Sequence, residues 1–143
     1  KPTVMSLGHT QTYLVGAIGD KLTRKKEVKF RELEGLPLVS FCRPSSWRGE
    51  LEGIAREHQF RLNVVLEADS IALQMAMVEQ GLYCLLGGFA THEPQSQQKI
   101  QLAQVVDPCL PRSVVVELSR NGQLTSATKA ILNLFKNFKK LKL

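Results

Sequence analysis

Two short segments of this 143-residue chain carry the residue types that build an anion-binding edge. One is Ser40-Phe41-Cys42-Arg43-Pro44-Ser45-Ser46 and the other is Gly87-Gly88-Phe89. Ser40, Ser45 and Ser46 bring hydroxyls, and Arg43 brings a guanidinium able to form charge-assisted hydrogen bonds with a carboxylate or phosphate. Ser45 or Ser46 also suits the N-cap of a helix, where free backbone N–H groups favour the same anions. At the second segment Gly88 lets a ligand approach the backbone, and Phe89 adds to Phe41 an apolar wall. Plain structure explains the same residues: the serines as caps, the glycines as a turn, and Asp69 as a cap rather than a ligand contact.

Other chemistry finds less support. Cys42 and Cys84 could be nucleophiles and His9, His58 and His92 bases, yet no motif ties any pair together, and Ser40 lacks a G-x-S-x-G context. The cysteines, Cys42, Cys84 and Cys109, are odd in number and irregular in spacing, without a CxxC pair. They read as free thiols, with neither a metal site nor a disulfide framework. No cofactor is called for.

For the two segments to share an edge, both must follow parallel strands. Residues 61–88 read as strand, helix, strand: Val64-Val65-Leu66, a helix capped by Asp69 or Ser70 and stopped by Gly81, then Cys84-Leu85-Leu86. Strands joined by a helix lie parallel, and open α/β sheets bind ligands at the edge where such strands end. A further strand over 36–41, with Pro37 at its start, brings Ser40 and Arg43 to that edge. The helix after Pro44 puts Trp47, Leu51, Ile54, Ala55 and His58 on one face, while Glu50, Glu52 and Arg56 face away. Gly49 and Gly53 each cost that helix about 1 kcal/mol against Ala, so tertiary packing must hold it.

Elsewhere the pattern predicts a short buried strand over 12–15 broken by Gly16 and Gly19, an exposed charged loop over 21–29, and one helical turn over 30–33. Ile71, Met75 and Val78 form a buried helical stripe, and 91–98 is a polar surface loop. Strands follow at 100–106 and 114–118, then an Asn121-Gly122 turn. A last helix, capped by Thr125 or Ser126, gathers Ala127, Ala130, Ile131, Leu134, Phe135, Phe138 and Leu141 on a face that needs a partner surface. Lys129, Lys136, Lys139, Lys140 and Lys142 take the remainder.

The composition, 43% hydrophobic and 22% charged, is that of an ordinary globular domain with no bilayer-spanning run. The net charge of +6 is uneven. Residues 1–30 hold six basic and two acidic side chains, 31–111 six and ten, and 112–143 seven and one. An acidic middle argues against a nucleic-acid saddle spanning the chain. The lysine runs read as solvated helix faces, since Phe135 and Phe138 share a face with aliphatics and do not lie open for base stacking.

The stretch LNVVLEADSIALQMAMVEQGLYCLLGG resembles the second lobe of the effector-binding domain of LysR-type transcriptional regulators. YLVGAIGDKL, FRELEGLPLVSF and VVDPCLPRSVVVELSRNGQLTSATKAILNLF fall in that family's order of first crossover strand, first lobe strand, return crossover and last helix. The resemblance implies an α/β fold with an open mixed sheet of the type II periplasmic-binding-protein-like class. It makes 18–113 one nearly complete lobe, 12–17 and 114–118 the crossover strands, and 1–11 and 119–143 remnants of the other lobe. It further implies a small organic effector held between two lobes, for which Ser40, Phe41, Arg43, Ser45, Ser46, Gly88 and Phe89 are the expected contacts; the helix starts and hydroxyls among them leave room for an anionic one. Gly88 stands where the family usually has Pro, and Tyr83 where it usually has Gly. With most of one lobe absent, half a cleft remains and binding should be weak. A cytoplasmic homo-dimer or tetramer, or a domain swap, is expected, with the stripe Ile131, Leu134, Phe135 and Phe138 at the interface. DNA contact would belong to an upstream domain absent from this chain, and no membrane partner is implied. The rival of the same architecture is an exported solute-binding protein.

Overall fold

The computed structural model describes residues 4–91, 99–119, 122 and 124–140, the last three of these by backbone only. His92, the loop at 92–98, Asn121, Leu141, Lys142 and the side chains of Phe138, Lys139 and Lys140 therefore lie outside the described residues. The chain divides into two compact units, Gln11–Leu110 and Lys1–Thr10 with Pro111–Leu143.

The larger unit contains the second half of β1 (Val4–Ala17), β2 (Glu27–Lys29), a 3-10 turn (Phe30–Leu33), β3 (Pro37–Ser40), α1 (Ser46–Glu57), β4 (Asn63–Glu67), α2 (Ile71–Glu79), β5 (Cys84–Gly87), α3 (Gly88–Thr91) and β6 (Ile100–Val106). β3 and β4 pair in parallel, Leu38 opposite Val64 and Ser40 opposite Glu67. A parallel bridge between Leu38 and Tyr83 carries β3 onto the start of β5, with Val39 N donating to the Tyr83 carbonyl at 2.8 Å. β1 runs antiparallel to both β5 and β6, and β2 is parallel to β6. The lateral order is thus β4-β3-β5-β1-β6-β2, with β1 alone reversed, and β3, β4 and β5 all end at one edge.

Period-two alternation fills both faces of this sheet. Leu14, Leu38 and Leu85 meet Trp47, Leu51 and Ala55 of α1, together with Phe30 and Leu33, on one side. Val15, Val39, Cys84 and Leu86 meet Met75 and Val78 of α2 on the other. Ser45 and Ser70 cap the two helices, accepting from Arg48 N and Leu73 N, each at 3.2 Å.

Several expectations need correction. β1 does not break at Gly16: the Thr23 side chain occupies the space a Cβ would take, so a glycine there lets the strand run on past Thr23. Residues 27–29 of the expected loop form β2, because Val28 is buried against β6 while its charged neighbours face out. On α2, Ile71 is exposed and Gln74 replaces it in the buried stripe, its amide donating to the Ala68 carbonyl at 2.8 Å.

In the smaller unit β7 (Pro111–Glu117) pairs with β1, and His9 Nδ1 lies 3.0 Å from Ser113 Oγ. Gly122 N donates to the Ser119 carbonyl at 3.3 Å, and α4 (Ser126–Lys140) follows Thr125, whose Oγ1 accepts from Thr128 N at 3.1 Å. Leu132 of α4 is half-buried and, with Lys136, lines a cavity of about 350 Å³ beside Val4, Met5, Val116 and Leu118. Ile131, Leu134 and Phe135 remain exposed, Leu134 at 65%. The face expected to need a partner is thus uncovered over its described part.

Tyr83, the departure from the family's glycine, has a defined task at the sheet edge opposite to the strand exits. Its hydroxyl donates to Asp20 Oδ1 at 2.5 Å, while Asp20 Oδ2 accepts from Thr23 N and Oγ1, both at 2.8 Å. Burial and the Asp20 carboxylate push the phenol up from 10.0 to about 12. Burial alone would raise Asp20, but the hydrogen bonds from Tyr83 and Thr23 outweigh it and hold the carboxyl below its ordinary value. Tyr83→Phe should cost about 1–2 kcal/mol at neutral pH, read by urea unfolding. The raised phenol contributes stability in full below pH 10.0, lost as pH climbs toward about 12. The lowered Asp20 contributes above the ordinary carboxylate range and loses it as pH falls through its folded pKa. The variant should therefore flatten the alkaline limb and weaken the acid one, whereas unchanged limbs would contradict this account.

Candidate functional site

The chain leaves β3 at Ser40 and crosses Phe41-Cys42-Arg43-Pro44 to the α1 cap at Ser45. Ser40 O accepts from Ala68 N at 2.8 Å, and Cys42 N donates to Asp69 Oδ1 at 2.9 Å. Asp69 consequently caps no helix; it clamps the segment after β3 to the segment after β4. One buried guanidinium completes the clamp. Arg48, its side chain 8% exposed, donates through Nη1 to the Phe41 carbonyl at 3.0 Å and through Nε to Glu52 Oε1 at 2.7 Å. Its Nη1 also lies 3.3 Å from Glu67 Oε2, at the end of β4. Burial alone would lower the Arg48 pKa, but the hydrogen bonds to Glu52 and Glu67 outweigh it and raise it. For Glu52, burial would raise the pKa, and the bonds from Arg43 and Arg48 bring it below its ordinary value. The expectation that Glu52 faces away from the fold is therefore overturned: its carboxylate is held by two arginines.

The strand exits gather most of the expected ligand contacts. Ser40 and Phe41 are half-buried, Phe41 touching both core layers. Ser45 directs its hydroxyl to the helix as a cap, while Ser46, on the first turn, is exposed. Gly88 is buried where α3 begins, and Phe89 beside it is half-buried. Arg43 is at the exit by backbone only. Its Nη2 reaches both Glu52 oxygens, at 2.9 and 2.7 Å, which turns the guanidinium along α1.

Two further residues were missed. The register sets Thr12 opposite Gly87, so Gln11 adjoins the Gly88 exit. Gln11 Oε1 is buried without a hydrogen-bond partner, as is Oε1 of Gln74, whose Nε2 holds the Ala68 carbonyl after β4. Buried acceptors are ordinarily satisfied, so two at one edge call for donors. The available signal was a glutamine inside an apolar helical run, IALQMAMV.

Nothing here activates a nucleophile. Burial pushes the Cys84 thiol up to about 12. Cys42 is raised by burial and by the Asp69 and Glu67 carboxylates. Both therefore stay protonated at neutral pH. His58 is engaged with the Ile54 carbonyl at 2.9 Å and packs against Phe30. Among the described residues no His, Cys, Asp or Glu cluster could hold a metal, and no helix is long and apolar enough to cross a membrane.

The family model for the LysR substrate binding domain matches residues 3–139. HinK, a LysR family transcriptional regulator from Pseudomonas aeruginosa, is similar with a TM-score of 0.74 at 18% identity, over 97% of this chain and 48% of that one. The CcmR regulatory domain from Synechocystis PCC6803, in complex with 2-PG, gives 0.83 at 12% identity over 98% and 68%. Full-length CbnR, complexed with its target DNA, gives 0.70 at 15% identity over 97% and 48%. These likenesses show the fold, an open mixed sheet of the periplasmic-binding-protein-like class, and the chain spans about half the length of the full-length regulators. No curated protein matches the sequence.

Arg48→Met should be costly even though it keeps an aliphatic stem, because it leaves Glu67 and the Phe41 carbonyl without their donor. With Glu52 still held by Arg43 and Glu67 about half exposed, losing these hydrogen bonds should cost about 1–2 kcal/mol, measurable by urea unfolding at pH 7. A loss within about 0.5 kcal/mol, the range of ordinary surface changes, would refute the clamp.

Proposed function

Because the chain belongs to the family of LysR substrate binding domains, we propose that it is the ligand-sensing part of a DNA-binding transcriptional regulator and performs no catalysis itself. The observation that carries the ligand-binding part is the convergence at one sheet edge of three parallel strand exits, two capped helix starts and two buried, unpartnered acceptors. The effector is a small organic molecule with an anionic group and hydroxyl or amine donors. Backbone N–H groups of the helix starts and the Ser40 and Ser46 hydroxyls hold the anion, Gln11 and Gln74 take the donors, and Phe41 and Phe89 cover the apolar part. Arg43 joins only when it exchanges Glu52 for the ligand. CcmR in complex with 2-PG offers a parallel for such an effector.

DNA is read by another part of the full-length cytoplasmic regulator, as the complex of CbnR with DNA suggests. Effector binding shifts the population of conformations of the assembled protein and so the placing of its DNA-binding arms. Assembly draws on two uncovered apolar surfaces. One is the α4 face of Ile131, Leu134 and Phe135, as a dimer or domain swap. The other runs from edge strand β4 to α2, where Val65, Leu66, Ile71 and Leu73 are exposed, Val65 at 52%. The family match favours this reading over an exported solute-binding protein.

A thermal-shift panel of hydroxylated mono- and dicarboxylic acids should yield a stabilising compound. Ser46→Ala should weaken its binding by about three- to tenfold without changing the ligand-free melting temperature. Equal binding by Ser46→Ala and Phe89→Ala would remove the effector from this edge. For assembly, Leu66→Lys with Leu73→Glu should shift the sedimentation coefficient toward the monomer, and Leu134→Glu tests the α4 face separately. A native chain that sediments as a monomer at high concentration would refute both interfaces.

A further inference from the structure

A basic site lies on the outer flank of α1 and adjoins the strand-exit edge at Arg43, Arg48 and Glu52. A cavity of about 360 Å³ is lined by Arg43, Arg48, Glu52, Arg56, Arg61, Leu62 and Val64. Arg48, Glu52 and Arg56 recur at four-residue spacing and so share one helical stripe, with Arg56 exposed as expected. Arg61, Leu62 and Val64 enter from the segment leading into β4. Arg43 and Arg48 are balanced by Glu52 and, for Arg48, by Glu67. Arg56 and Arg61 have no ion-pair partner among the described residues. Four arginines against Glu52 and Glu67 leave a surplus of two positive charges, the number carried by the two unpaired guanidiniums.

We propose that this cavity binds a small organic phosphate. A phosphate dianion matches the two unpaired guanidiniums in charge, and each can meet it through a planar pair of N–H donors. The half-buried Leu62 and Val64 side chains give the organic part an apolar surface, and the volume lies in the range of small-molecule sites. Glu52, already held by two arginines, leaves Arg56 and Arg61 to the ligand. Arg43, Arg48 and Glu52 also hold the strand-exit edge, but Arg56, Arg61, Leu62 and Val64, which carry the phosphate site, take no part in the effector reading.

Titration of the ¹⁵N-labelled full chain with inorganic phosphate and with phenyl phosphate, followed by NMR at constant ionic strength, tests the proposal. Saturable shifts of the Arg56, Arg61, Leu62 and Val64 amides are expected, with phenyl phosphate binding about threefold or more tightly than inorganic phosphate. Arg56→Gln with Arg61→Gln should weaken phenyl phosphate by about tenfold or more. Both side chains are exposed, so the fold should persist, and Arg61→Gln alone gives the same reading if the double variant unfolds. Unsaturable shifts spread over the lysines, equal shifts from sodium chloride, equal affinity for the two phosphates, or undiminished binding by the arginine variants would each overturn it.

Discussion

The Arg48 guanidinium is the constraint on which the strand-exit edge depends. It is too buried to be left unpaired, and it meets three elements at once: the carbonyl of Phe41 after β3, Glu52 one turn along α1, and Glu67 at the end of β4. A lysine could not copy this arrangement, because a point charge lacks the planar fork that addresses three acceptors in fixed directions. With the Asp69 bond to Cys42 N, the loops after β3 and β4 are held by charge-assisted hydrogen bonds where a loop would otherwise be free. Such rigidity leaves the backbone N–H groups of this edge pre-organised, with little left to order.

Beneath the edge, the sheet decides which loops can be neighbours. Alternating side chains bury both faces, so each of β3 and β5 must carry apolar residues at consecutive positions, as Leu38-Val39 and Cys84-Leu85-Leu86 do. The reversal of β1 places Gln11 by the exits of its neighbours and Asp20 at the far edge, where Tyr83 meets it. Side-chain size at position 83 is thereby coupled to the turn after β1: a glycine there could make no bond to Asp20.

Strand and helix identities were legible because local patterns agreed with the fold: Pro37 opens β3, Ser45 and Ser70 cap their helices, and Gly81 follows α2 with a positive φ of 106°. The seven candidate residues proposed from sequence stand at or beside the strand ends, but the pattern did not report side-chain directions: Ser45 caps α1 and Arg43 turns to Glu52. Arg43 looked available because its partner Glu52, nine residues away, is recognised only once α1 folds back beside it. Gln11 and Gln74 were hard to single out for the opposite reason. A lone polar residue in an apolar context gains meaning from its burial, which periodicity does not report. β2 escaped notice because a single buried Val28 between charges carries no alternation.

The shared carboxylate of Glu52 joins the two flanks of α1. Arg43 and Arg48 compete for the same two oxygens, Arg43 meeting both and Arg48 meeting Oε1. Charge introduced beside either arginine alters the hold on the other. If Arg43 turns away, Glu52 binds Arg48 alone, and the Phe41 carbonyl and Glu67 feel a guanidinium more strongly committed to α1. The segment from Phe41 to Ser45 is therefore the place where electrostatics on the outer flank and geometry at the strand exits are coupled. That coupling passes through one residue pair and needs no movement of the sheet.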